Sequence, residues 1–96
     1  MASIVGSSDR MRRRADWMLP VDDLILEYLR DMGAATPKAM ADDLERNNNY
    51  IGVRCRELMD YGLLQRVSHG LYRITEDGER FLDEELDAEE LEKDTS

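Results

Sequence analysis

Asn48, Asn49, Tyr50, Gly52, Val53, Arg54 and Arg56 interleave with the apolar Ile51, Cys55, Leu58 and Met59 at helical spacing. A helix over about 49–61 turns Ile51, Cys55 and Leu58 inward and presents the polar set outward, with Glu57 at the flank. Those outward types are suited to nucleobase edges. Asn pairs bidentately with adenine, Arg with guanine, and Val53 can meet a thymine methyl group. Gly52 lowers helix propensity by about 1 kcal/mol relative to Ala, an expense that close backbone approach to DNA would explain. The competing reading makes Arg54 and Arg56 an ordinary solvated face.

The elements needed to present such a helix can be read on both sides of it. Val21, Leu24, Ile25, Tyr28, Leu29 and Met32 predict a helix that starts at Pro20 and stops at Gly33. Asp22 and Asp23 fall in its positive first turn. Thr36-Pro37 opens a second, short helix with Met40 and Leu44 as its core pair. Arg46-Asn47-Asn48-Asn49 is the turn that follows, since Asn both tolerates the left-handed conformation and caps helices. Gly62 ends the next helix as a left-handed cap, with Leu63 returning onto Leu58. Leu64-Gln65-Arg66-Val67 and Leu71-Tyr72-Arg73-Ile74 then predict a hairpin at about 64–74, turning at Ser68-His69-Gly70. Thr75 caps a last helix with Phe81, Leu82 and Leu86 as its apolar stripe.

Charge is distributed unevenly. The 96 residues carry 22 acids and 13 bases, a net of −9, and residues 75–96 hold 11 of the acids with only 2 bases. Residues 46–74 instead carry five arginines against Glu57 and Asp60. The segment with base-reading residue types is thus locally basic in an acidic chain. Eleven Arg against 2 Lys, with Asp and Glu in excess, matches adaptation to molar salt, where screening shortens to about 3 Å. One Cys and one His exclude an internal disulfide and argue against a zinc-type site, and no cofactor is expected. No Ser-His-Asp set, phosphate-cradling glycine loop or paired carboxylates support catalysis. Apolar runs reach only three residues, as in Leu24-Ile25-Leu26, and residues 1–8 have no apolar signal core. The expected location is therefore the cytoplasm, away from membranes.

The domain expectation is a disordered leader at 1–9, a folded unit at 10–86 and an acidic tail at 87–96 that frays into solvent. The fold class is mostly α with a small β-hairpin wing: a winged helix-turn-helix flanked by N-terminal and C-terminal helices. Trp17-Met18-Leu19-Pro20-Val21-Asp22-Asp23-Leu24-Ile25-Leu26-Glu27-Tyr28-Leu29, Gly62-Leu63-Leu64 and Gly70-Leu71-Tyr72-Arg73-Ile74-Thr75-Glu76-Asp77-Gly78 resemble haloarchaeal phage phi-H repressor-like proteins. These fall within the MarR-type and ArsR-type superfamily. The resemblance covers about two thirds of the chain and implies duplex DNA binding and transcriptional repression. It departs at Asn48, Asn49 and Tyr50, where relatives carry Ser and Thr, so the target sequence does not transfer.

The expected DNA-binding residues are Asn48, Asn49, Tyr50, Gly52, Val53, Arg54 and Arg56 on the recognition helix, with Arg66, His69 and Arg73 on the wing. His69 is equally an exposed turn residue. The cluster Arg10, Arg12, Arg13 and Arg14 is either an arm over the phosphate backbone or a solubilising leader. Cys55 reads as a core residue rather than a redox sensor. A homodimer is expected, formed through Trp17, Leu26, Phe81, Leu82 and Leu86. The rival reading is a winged helix that binds protein in the transcription machinery, and a third is an acidic mimic of nucleic acid.

Overall fold

The structure, a computed structural model, describes residues 15–93. The leader and the Arg10–Arg14 cluster lie outside the described residues. Residues 15–18 form a turn in which the Met18 N–H donates to the Ala15 carbonyl at 3.0 Å.

Helix α1, Pro20–Met32, runs between the proline and glycine expected of it, with Val21, Ile25, Leu26 and Leu29 buried. Its cap was not expected. Leu19 has no oxygen to offer, so Asp22 reaches back and accepts the Leu19 N–H at 3.0 Å. Thr36 caps α2, Pro37–Leu44, by accepting the Ala39 N–H at 3.2 Å. The Tyr28 hydroxyl donates to Asp43 Oδ2 at 2.6 Å and ties α1 to α2.

The junction into α3, Asn48–Asp60, is built differently from the asparagine turn expected. Glu45 takes the left-handed conformation (φ 57°), and the Arg46 N–H closes on the Ala41 carbonyl at 2.9 Å. Asn47 caps α3 by accepting the Tyr50 N–H at 3.0 Å, while Asn48 and Asn49 are already helical. At the far end Gly62 sits at φ 86°, where any side chain is strained. That turn lets the Leu63 N–H reach the Leu58 carbonyl at 3.0 Å, with both leucines fully buried, as expected.

Strands β2, Leu64–Ser68, and β3, Leu71–Ile74, form the wing, with an irregular register between Arg66 and Ser68. A further strand, β1, Ala34–Ala35, pairs antiparallel with β3 and gives the sheet order β1-β3-β2. Leu64, Tyr72 and Ile74 turn inward onto a core of Ile25, Leu26, Leu29, Met40, Ile51, Cys55, Leu58 and Phe81. Among the described residues, four α-helices and this sheet make a winged helix.

Helix α4, Glu76–Leu82, is shorter than the stripe through Leu86 suggested. Glu84 turns left-handed (φ 66°), and the Glu85 N–H closes on the Arg80 carbonyl at 2.7 Å. The chain then packs back instead of fraying at residue 87. Ala88 is fully buried in a short 3-10 turn, Ala88–Glu90, and Leu91 rests on the core. Lys93 pairs with Glu57 of α3 at 3.1 Å. The acidic segment is thus part of the domain as far as the described chain extends. Seven acids between residues 83 and 92 are held down mainly by Phe81, Leu82, Ala88 and Leu91. Their mutual repulsion acts over about 30 Å at 0.01 M salt but only about 3 Å at 1 M. The melting temperature is therefore expected to rise from about 0.1 to 2 M KCl, with amides of residues 83–92 exchanging first on dilution. A melting temperature that falls over that range would overturn the salt-adapted reading.

Candidate nucleic-acid interface

Helix α3 separates its residues by azimuth. Asn49, Tyr50, Val53 and Arg56 are exposed, with Val53 at 49% for an apolar side chain in mid-helix. Asn48 is exposed beside the cap. Gly52, expected outward, is buried, and the nearest atom to a Cβ placed there is Arg56 Nη1 at 3.7 Å. The glycine therefore has room for a methyl group within the protein itself.

Arg54 does not point outward. Its Nε donates to Asp22 Oδ1 at 2.9 Å, and its Nη2 donates to Asp22 Oδ2 at 2.8 Å and to the Trp17 carbonyl at 3.0 Å. Asp22 is fully buried and the Arg54 side chain is only 12% exposed. The hydrogen bond to Asp22 raises the guanidinium pKa above its ordinary value, against the opposing effect of burial. Arg54 joins α3 to α1 and is not available to read a base. Sequence reasoning placed Arg54 on the outer face and Asp22 in a helix-dipole role. The available signal was their spacing: Ile51 and Leu58 lie at i−3 and i+4 from Arg54, and Ile25 and Leu26 at i+3 and i+4 from Asp22.

The remaining cations fall into two groups. Among the described residues, Arg30, Lys38, Arg54, Arg80 and Lys93 each pair with a carboxylate, on Asp83, Asp42, Asp22, Asp77 and Glu57 respectively. Arg46, Arg56, Arg66 and Arg73 are exposed and have no such partner among the described residues. Arg46 donates only to the Leu44 carbonyl, at 2.9 Å. Among the described residues the uncompensated positive charge thus lies on the junction, α3 and the wing. The Glu57 carboxylate at the flank of α3 is partly neutralised by Lys93.

Within the wing, Arg66 and His69 are exposed near the tip. Arg73 stands in register with Gln65 and Ala34 and lines an open groove with Leu29, Arg30, Val67 and Glu79. It is set back from the tip, nearer the end of α1.

A model of the winged helix-turn-helix phage repressor matches residues 11–94. The chain belongs to this family. It is 40% identical over 93 residues to the repressor protein of Halobacterium phage phiH, covering 86% of this chain and 99% of that relative. A PhiH1 repressor-like protein from Haloarcula marismortui, known from a crystal structure, superposes with a TM-score of 0.79 at 36% identity, covering 85% of this chain and 96% of that one. The phage-repressor fold therefore accounts for the described chain from its first turn to Lys93.

Cys55 lies in this repressor's core, next to the Asp22–Arg54 pair. Burial pushes its thiol up to about 12, the negative charge of Asp22 adds to the shift, and Arg56 opposes it. The native protein is expected to resist thiol reagents at pH 8 and to react fully once unfolded. The shift also fixes a sign. A folded-state pKa above the unfolded one means that the unfolded chain loses the proton first as pH rises. Stability from this group is complete below about pH 8.5 and is lost toward pH 12, at up to about 1.4 kcal/mol per pH unit. Cys55→Ala should flatten that slope in chemical denaturation, and an unchanged slope would show that Cys55 does not cause it.

No group of three His, Cys, Asp or Glu side chains among the described residues is arranged to hold a metal ion.

Proposed function

We propose that this protein is a repressor that binds duplex DNA, with α3 in the major groove and the wing on the backbone or in the minor groove. The supporting observation is the distribution of arginines: among the described residues, those without a carboxylate partner are Arg46, Arg56, Arg66 and Arg73, on the elements a winged helix presents to DNA. Asn48, Asn49, Tyr50, Val53 and Arg56 form the reading set, with Arg56 suited to guanine and Val53 to a thymine methyl group. Arg66 and His69 approach the duplex from the wing, and Arg73 supports them from the sheet. Family membership points to a regulator rather than an enzyme. No helix among the described residues is long and apolar enough to cross a membrane.

The protein-binding alternative draws on the net charge of −9, but that excess resides in residues 75–96 and not in the 46–74 segment. A homodimer reading two half-sites remains part of the proposal. Its contacts must differ from those expected, because Leu26, Phe81 and Leu82 are buried within one copy and Trp17 is stacked on Tyr61. Met32, 61% exposed, is the most open of the large apolar side chains among the described residues.

Selection of duplexes from a random pool in molar KCl should enrich one sequence, and failure to enrich any would defeat the proposal. On the selected duplex, Arg56→Ala should lose about 1–3 kcal/mol and relax preference at one position. Arg66→Ala should weaken all sequences alike and reduce the salt slope by about one unit.

A further inference from the structure

Five consecutive residues ahead of α1 are held in place, and two of the holds come from the proposed reading helix itself. The Trp17 ring stacks on Tyr61 with centroids 3.7 Å apart and planes 2° from parallel. The Trp17 carbonyl accepts from Arg54 Nη2 at 3.0 Å. Tyr61 is the residue that ends α3, two helical turns and about 10 Å beyond residue 54, so residue 17 is clamped to the helix and to its C-terminal cap at two separated points. Around it, Ala15 is buried, the Asp16 N–H donates to Glu89 Oε2 at 2.9 Å, and the Leu19 N–H donates to Asp22 at 3.0 Å. Asp22 is shared: the same Oδ2 accepts from Leu19 and from Arg54.

We infer that Arg54 is a positioning residue: through Asp22 and the Trp17 carbonyl it fixes the register of α3 against α1 and residues 15–19, and so sets how the reading face meets the duplex. The inference rests on the DNA reading proposed above. The reading residues of α3 are then presented to the duplex at one fixed angle to α1 and to residues 15–19. A guanidinium suits this task because its planar fork serves both carboxylate oxygens and a carbonyl together. The point charge of a lysine cannot reproduce that geometry.

Arg54→Lys keeps the charge and is the gentlest test, with melting curves to set a temperature at which every variant is folded. Trp17 is the only tryptophan, so its near-UV circular dichroism reports the clamp directly. Arg54→Lys is expected to weaken that signal. It should also reduce preference for the selected duplex over a shuffled duplex of equal length by about tenfold, spread across the site. Tyr61→Leu releases the second hold without touching Arg54 and should shift preference in the same direction. Relaxation at a single base pair with an unchanged Trp17 signal would overturn the inference and make Arg54 a base reader. An unchanged Trp17 signal together with unchanged preference would overturn it as well. If the unaltered protein selects no duplex, the DNA reading fails. The Trp17 signal of Arg54→Lys then decides the positioning claim on its own: a weakened signal upholds it and an unchanged one overturns it.

Discussion

Arg54→Met is expected to destabilise the fold by about 3–5 kcal/mol, because it strands the carboxylate of a fully buried Asp22. At roughly 4–8 °C per kcal/mol for a domain of this size, the melting temperature should fall by about 12 °C or more. The loss is larger than the Coulombic worth of the pair, since the remaining charge can neither reach water nor find another donor of equal geometry. The double variant Asp22→Leu with Arg54→Met removes both charges and should recover most of the loss. What remains is about 1 kcal/mol for the Leu19 N–H that Asp22 no longer caps. Arg30→Met supplies the contrast. Its bond to Asp83 is just as short, 2.7 Å, but both side chains are substantially exposed, so the expected change is about 0–1 kcal/mol. Equal losses for Arg54→Met and Arg30→Met in urea unfolding would show that water reaches the Asp22 pair.

That buried pair marks where sequence reasoning stopped. Periodicity was sufficient for α1, α3 and the wing, because apolar side chains repeat at 3.6 or 2 residues and glycines stand where the backbone must turn left-handed. Thr36, Thr75 and Gly62 were legible for the same reason: each meets a local need of a helix end. Arg54 and Asp22 stand 32 positions apart, and neither shows locally that the other will neutralise it. Strand β1 was missed because Ala34-Ala35 carries no strand signal and is ordered only by pairing with Arg73 and Tyr72. Glu45 and Glu84 occupy left-handed positions that composition would assign to Asn or Gly. The acidic segment looked too charged to pack. Ala88 and Leu91 are too few to show periodicity, yet they suffice once Asp87 caps a turn by accepting the Glu89 N–H at 3.0 Å. On the proposed reading face, Asn49, Tyr50, Val53 and Arg56 are exposed as their types suggest, with an azimuth opposite the core stripe. Gly52 and Arg54, at the borders of that stripe, were misplaced.

Gly78→Ala should destabilise the protein by about 2–3 kcal/mol, although replacing a helical glycine by alanine ordinarily adds about 1 kcal/mol of stability. The sign reverses because a Cβ at residue 78 would press on the Leu63 carbonyl oxygen and lie 2.5 Å from Ile74 Cγ1. The carbonyl cannot simply move aside. It accepts the Thr75 N–H at 3.1 Å, while the Thr75 hydroxyl donates to the Gly62 carbonyl at 2.6 Å and accepts the Gly78 N–H at 3.1 Å. Displacing Leu63 therefore strains the cap of α4 and the end of α3 together. Gly52→Ala is the internal control, because its new methyl group meets only Arg56 Nη1 at 3.7 Å, and stability should rise by about 0.5–1 kcal/mol. The two variants also separate fold from function. Leu63 precedes β2, so the strain at Gly78 reaches the strand that carries Arg66, and DNA affinity should fall along with stability. At Gly52, buried beside the reading face, the two should diverge: stability rises while affinity for the duplex stays unchanged. Melting curves and titrations with the selected duplex measure both. A Gly78→Ala protein that melts higher than the parent would show that the α3–β2 junction yields, contrary to the fixed contact between Gly78 and Leu63.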